Sequence, residues 1–147
     1  MKRIHLPFLI GLLAFLPGAG SAQATLEEGD PLAAVLFEPE LIMQHRRAVN
    51  LTDEQRDAIT RLIEELQGRV VGLQWQLLDE MQALSEILEG PRVDLDRAMD
   101  RMGEVLDIEG EIKRRHLELL IRIKNVLTPE QQDELTRLRE RAAGEDR

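Results

Sequence analysis

Two pentapeptides constrain this chain more than any other feature: Leu51-Thr52-Asp53-Glu54-Gln55 and Leu127-Thr128-Pro129-Glu130-Gln131. Both read L-T-x-E-Q, and both have the form of a helix start. The threonine, as N-cap, accepts a hydrogen bond from the backbone N–H three residues on. The glutamine at N3 reaches back to the cap residue's own N–H, which completes a capping box. Asp53, Glu54 and Glu130 place negative charge at the positive end of the helix dipole. Pro129 stands at the first helical position, where its missing N–H costs nothing. Arg56 and Gln132 occupy the N4 positions, so no hydrophobic staple forms. One such box is common. Two near-identical boxes, each just after a helical pattern, imply two helix starts built alike.

Hydrophobic periodicity supplies the helices. From Pro39, the residues Leu41, Ile42, His45 and Val49 share one face, and Asn50 is a natural stop. A second helix runs from Asp53 to about Glu89 on the stripe Ile59, Leu62, Leu66, Val70, Leu73, Leu77, Met81, Leu84 and Leu88. Its length is roughly 55 Å at about 1.5 Å per residue. Gly90-Pro91 ends it. Gly68 and Gly72 lie mid-helix, either as tolerated defects or as a bend or close approach to another helix. Asp94 caps a third helix, whose apolar positions are Leu95, Met99, Met102, Val105/Leu106, Ile112, His116, Leu119, Ile123 and Val126. A fourth runs from Pro129 to about Ala142, with Leu135, Leu138 and Ala142 on one side. Nothing reads as a strand. The expected fold is all-α: a long antiparallel hairpin whose open end is covered by the two short helices, followed by a frayed tail over 144–147.

The N-terminus has the pattern of an export signal. Lys2 and Arg3 precede an apolar stretch, Leu6 to Leu16, that is too short to span a bilayer. Pro17, Gly18 and Gly20 break it, and Ala22-Gln23-Ala24 offers a small-x-small cleavage site. This gives a signal over 1–24, a leader over 25–38 and a helical domain over 39–143. In the leader, Asp30-Pro31 can cap a short turn carrying Leu32, Val35 and Leu36, or its apolar residues can tuck onto the body or a partner. The expectation is an exported protein without membrane insertion after cleavage. Cysteine is absent, so the fold rests on packing. Beyond residue 24 the chain carries 17 cationic and 28 anionic side chains, a formal charge of −11. That disfavours nucleic acid and anionic membrane surfaces, and permits cationic partners.

Catalysis finds little footing. After residue 24 there is one serine, Ser85, and no tyrosine. No glycine-rich phosphate loop, nucleophile elbow or zinc-protease motif occurs. Helix 2 carries a second apolar flank, Val71, Trp75 and Leu78. A tryptophan among aliphatics there either closes the core or marks a contact with a second copy or a client. Arg46 and Arg47 lie beside the first pentad, and Lys113, Arg114, Arg115, Arg122 and Lys124 cluster along helix 3. They read either as solvated helix faces or as a local basic face.

The repeated pentad resembles the LTxxQ motif of the periplasmic Spy/CpxP proteins, a superfamily that also includes heavy-metal-resistance sensors of the CnrX type. The resemblance covers most of the chain after the signal. It implies a small helical hairpin that pairs into a curved homodimer in the periplasm. It also implies a non-enzymatic role: an ATP-independent chaperone for unfolded envelope proteins, or an accessory docking on the periplasmic domain of a sensor kinase. No cofactor is expected on that reading. The alternative within the same resemblance is a metal sensor. If the helix starts are adjacent, as in those relatives, His45 and His116 approach each other, with Glu109 two turns from His116. Such donors suit Zn²⁺, Ni²⁺, Co²⁺ or Cu²⁺. The sensors' denser donor set does not carry over, because Leu41, Val49, Ile112 and Leu120 stand at the one-turn spacings. The two histidines otherwise read as hydrogen-bonded interior residues.

Overall fold

The computed structural model of the chain describes residues 32–145. The expected export signal, the leader up to Pro31, and the last two residues of the expected frayed tail lie outside that range. Four helices follow in order: α1 (Pro39–His45), α2 (Asp53–Leu88), α3 (Leu95–Val126) and α4 (Pro129–Glu145). The fold is all-α, with no strand among the described residues. Helices α2 and α3 run antiparallel as the hairpin, and α1 and α4 pack together at its open end. Helix α4 runs one turn past the expected stop at Ala142, into part of the expected tail.

Local chemistry sets the ends of these helices. After α1 the chain closes in a Schellman arrangement. The Leu51 N–H donates to the Arg46 carbonyl (2.9 Å) and the Asn50 N–H to the Arg47 carbonyl (3.3 Å). Asn50 takes the left-handed conformation this needs (φ 50°), and asparagine visits that region more readily than most residues. Both capping boxes form. The Gln55 N–H donates to Thr52 Oγ1 (3.2 Å), and the Thr52 N–H donates to Gln55 Oε1 (3.1 Å). The second box repeats this with Gln131 N–H to Thr128 Oγ1 (3.3 Å) and Thr128 N–H to Gln131 Oε1 (2.9 Å). Asp94 caps α3 through the Arg97 N–H (3.1 Å). Gln132, which breaks the staple, instead donates to the Lys124 and Leu127 carbonyls at the end of α3.

The two boxes are joined to each other. Gln55 Nε2 donates to Gln131 Oε1 (2.8 Å), and Gln131 Nε2 donates to Gln55 Oε1 (3.0 Å). The second proton of each amide crosses to the segment leading into the opposite box: Gln55 to the Val126 carbonyl (2.9 Å) and Gln131 to the Val49 carbonyl (3.1 Å). Each side chain therefore uses both donors and accepts twice, which is the full capacity of a primary amide. The result is a clasp that ties the start of α2 to the start of α4. Directly behind it lies the core: Phe37, Ile42, Val49, Ile59, Leu119, Ile123, Leu127 and Leu135 are buried together.

Away from the clasp the hairpin thins. Leu77, Ala98 and Val105 continue the buried seam. Three expected core positions of α3 are corrected here. Leu95, Met99 and Leu106 are more than half exposed, and Ala98 and Val105 take their place. A 3.6-residue repeat started at Ala98 runs through Met102, Val105, Glu109, Ile112, His116 and Leu119, and leaves Leu95, Met99 and Leu106 on its flank. Leu88 is also half exposed, because the hairpin turn leaves nothing opposite it. Ala142 is exposed in the same way, beyond the reach of the core. A Cβ added at Gly68 or Gly72 would meet nothing within 4 Å, so neither glycine serves a close helix approach within the chain.

Candidate binding face

The hairpin has two unlike faces. One carries a lattice of ion pairs: Glu80 with Arg101, Glu65 with Arg69 (3.0 Å) and Arg122 (3.1 Å), and Arg115 with Glu111 (2.7 Å) and Glu118 (3.2 Å). The Glu80–Arg101 and Glu65–Arg122 bridges join α2 to α3 and mark the register that core packing sets. Glu80 bonds to the Arg101 guanidinium and holds its pKa above the usual arginine value. Exposed pairs of this kind contribute little in water. Arg101→Gln is accordingly expected to leave the thermal midpoint almost unchanged.

The opposite face is different. At about 100° per residue, the positions of α3 turned away from the ion pairs include Leu95, Met99, Met102, Leu106, Gly110, Lys113, Leu117 and Lys124. On α2 the matching positions between residues 67 and 85 are Gln67, Val71, Gln74, Leu78, Met81 and Ser85, with Trp75 at the margin. None of these is acidic, in a chain whose net formal charge is −9. The register of the two bridges brings Leu106 alongside Leu78. Val71, Trp75, Leu78, Leu95, Met99 and Leu106 are all exposed, and Trp75, the only tryptophan, is 65% accessible. Trp75 therefore does not close the core under α1 or α4. Contiguous exposed apolar surface is the kind that contact sites use.

Near the clasp the same face is covered. Residues 32–38 cross α3 there, with Lys124 on the Val35 carbonyl (2.8 Å) and His116 Nε2 3.4 Å from Glu38 Oε1. Sequence reading offers this cover as one of the alternatives for the leader, whose apolar residues could tuck onto the body; Leu36 and Phe37 are buried there.

The other expected site residues are placed as follows. His45 is half-buried at the end of α1, and His116 is occupied by Glu38. Among the described residues, His45, His116 and Glu109 do not converge with one another or with other donors into a group of three that could hold a metal ion. The basic residues of α3 form no free basic face. Arg114, Arg115 and Arg122 are paired with carboxylates, and Lys124 holds a carbonyl.

Two carboxyls are held below the ordinary glutamate range. Arg114, and then Arg115, lower Glu111 against the cost of its burial. Glu130 is lowered by its own backbone N–H at the start of α4 and by the Thr128 hydroxyl. A carboxyl depressed in the folded state stabilises fully above its unfolded pKa, and loses that contribution as pH falls through the folded value. The urea midpoint is therefore expected to fall as pH drops below about 4, near the unfolded glutamate pKa. Glu130→Gln should flatten that fall.

No family model matches the chain, and neither curated proteins nor solved structures gave a match. No helix of the described residues is long and apolar enough to cross a membrane.

Proposed function

We propose that the chain is a non-enzymatic binding protein. Its apolar face, free of acidic side chains between residues 67 and 85 of α2, takes up apolar segments of other proteins, and nucleotide plays no part. The observation that carries this reading is the exposed set Val71, Trp75, Leu78, Met99 and Leu106 on one face of an otherwise strongly acidic hairpin. Such a face buries a client's apolar side chains reversibly, and the acidic remainder keeps the loaded complex in solution. The resemblance of the two pentads to the LTxxQ proteins gives this reading its setting: an envelope chaperone or sensor accessory, exported through the N-terminal signal and working as a homodimer paired through part of the same face.

The test is suppression of aggregation. A reduced client protein is diluted from denaturant into buffer containing a chelator, with and without the chain from residue 25 onward. Suppression at near-stoichiometric ratio, without nucleotide or metal, is the expected result. Unchanged light scattering at a large molar excess would refute the chaperone reading.

A further inference from the structure

The segment 32–38 is held on the body by cationic side chains that grip its backbone carbonyls and by burial of its own apolar side chains. The backbone-to-backbone bonds described for it are local: the Val35 and Leu36 N–H groups donate to the Leu32 carbonyl, and the Glu38 carbonyl accepts from Ile42 in α1. Arg139 of α4 donates to the carbonyls of Ala33, Ala34 and, at 2.9 Å, Leu36. Lys124 of α3 takes the carbonyl between them, that of Val35. Two cations thus hold four successive carbonyls, 33–36. The same cations lie over the Phe37 ring, Arg139 at 5.5 Å and Lys124 at 6.0 Å from its centroid. Leu36 and Phe37 are buried, Phe37 among Leu119, Ile123 and Leu135. Glu38 then meets His116.

This is the arrangement of a receptor holding a peptide. Contacts to carbonyls read the backbone and are indifferent to the side chains that the backbone carries. Selection is left to the apolar floor, which accepts an aliphatic–aromatic pair, and to His116, which accepts a following carboxylate. We propose that α3 and α4 form a peptide cleft that residues 32–38 fill in cis, and that another protein's segment of the same chemistry enters when they lift: apolar, then aromatic, then acidic. The proposal rests on the client-binding reading for the nature of its partner. Its test does not involve the distal patch around Trp75, so either can fail alone.

The probe is a fluorescein-labelled, end-blocked peptide with the sequence of residues 32–38, titrated by anisotropy into the chain from residue 25 onward. Leu36→Ala/Phe37→Ala weakens the internal occupant while leaving Arg139, Lys124 and His116 in place. The peptide should bind this variant at least about tenfold more tightly than wild type, because a filled cleft lowers apparent affinity by its occupancy. Adding Arg139→Ala should abolish the gain. Equal affinity for the folded variant and wild type, or a gain that survives Arg139→Ala, overturns the proposal. Where circular dichroism shows that the double variant has unfolded, Phe37→Leu decides instead. It keeps the pocket filled but removes the ring under both cations, so tighter peptide binding than wild type supports the cleft, and wild-type behaviour refutes it. A wild-type dimer that becomes monomeric in Phe37→Leu would assign the cleft to segment exchange between copies, and also overturns the proposal.

Discussion

Gln131→Ala is expected to lower the unfolding free energy by about 2–4 kcal/mol. The figure combines the loss of half a capping box, roughly 0.5–1 kcal/mol, with about 1–3 kcal/mol for polar groups left without partners. The stranded groups are specific: the Gln55 amide loses one donor and one acceptor contact, and the Val49 carbonyl loses its donor. For a domain of this size the fall corresponds to about 8–15 °C in Tm. Gln55→Ala should cost a similar amount, because it makes the mirror-image set of bonds to Thr52, Gln131 and Val126. The informative experiment is the double-mutant cycle. Once both amides are gone, neither is left unpaired, so Gln55→Ala/Gln131→Ala should cost less than the two single changes together, by roughly 1–2 kcal/mol. Strict additivity in urea denaturation would mean that the two glutamines act only as separate caps. Thr52→Ala, which removes a single cap bond, should cost only about 1 kcal/mol.

The clasp also shows where sequence reading stops. Thr52, Gln55, Thr128 and Gln131 are legible as boxes because a capping box is local, spanning three residues. Their union is not, because it depends on how the open end of the hairpin folds back. The same division runs through the rest of the chain. Asn50 and Asp94 read correctly as a stop and a start, since each acts on neighbouring backbone. The apolar stripe of α2 reads correctly from Ile59 to Leu84, where a long partner lies opposite. At the hairpin tip the partner gives out, and Leu88, Leu95 and Met99 are apolar without being buried. Periodicity alone cannot distinguish a core position from a flank position one residue along, as Leu95 and Met99 against Ala98 demonstrate. The basic cluster of α3 was visible, but the bridge from it across the hairpin was not, because Glu65 lies 57 residues from Arg122 in the sequence. The cover over α3 rests on Arg139 gripping carbonyls more than 100 residues away, which no side-chain pattern encodes.

Trp75→Glu/Leu78→Glu is expected to abolish client binding while leaving the fold intact. Both side chains are more than half exposed, so two carboxylates there disturb little packing. Their effect on a complex is large. A tryptophan buried as an anchor in an interface commonly accounts for 2 kcal/mol or more, which is about thirtyfold in affinity. Burying a new carboxylate against a client's apolar surface adds a desolvation cost to that loss. The variant should therefore lose client affinity by at least about a hundredfold, with a urea midpoint close to wild type. If the homodimer uses the same patch, its sedimentation coefficient should fall to that of a monomer. A variant that binds clients normally would move the interaction away from this face.

Trp75 also supplies the most direct measurement, since it is the only tryptophan in the chain and stands in the proposed contact surface. Its emission can be followed while a tryptophan-free unfolded protein, such as reduced and carboxymethylated ribonuclease A, is titrated into the chain from residue 25 onward in the presence of a chelator. Saturable binding with a blue shift of the Trp75 emission is the predicted result, because the indole passes from a solvent-exposed position into an apolar contact. Saturable binding with unchanged emission, or no binding at all, would contradict the assignment of this face as the site where the protein takes up its partners.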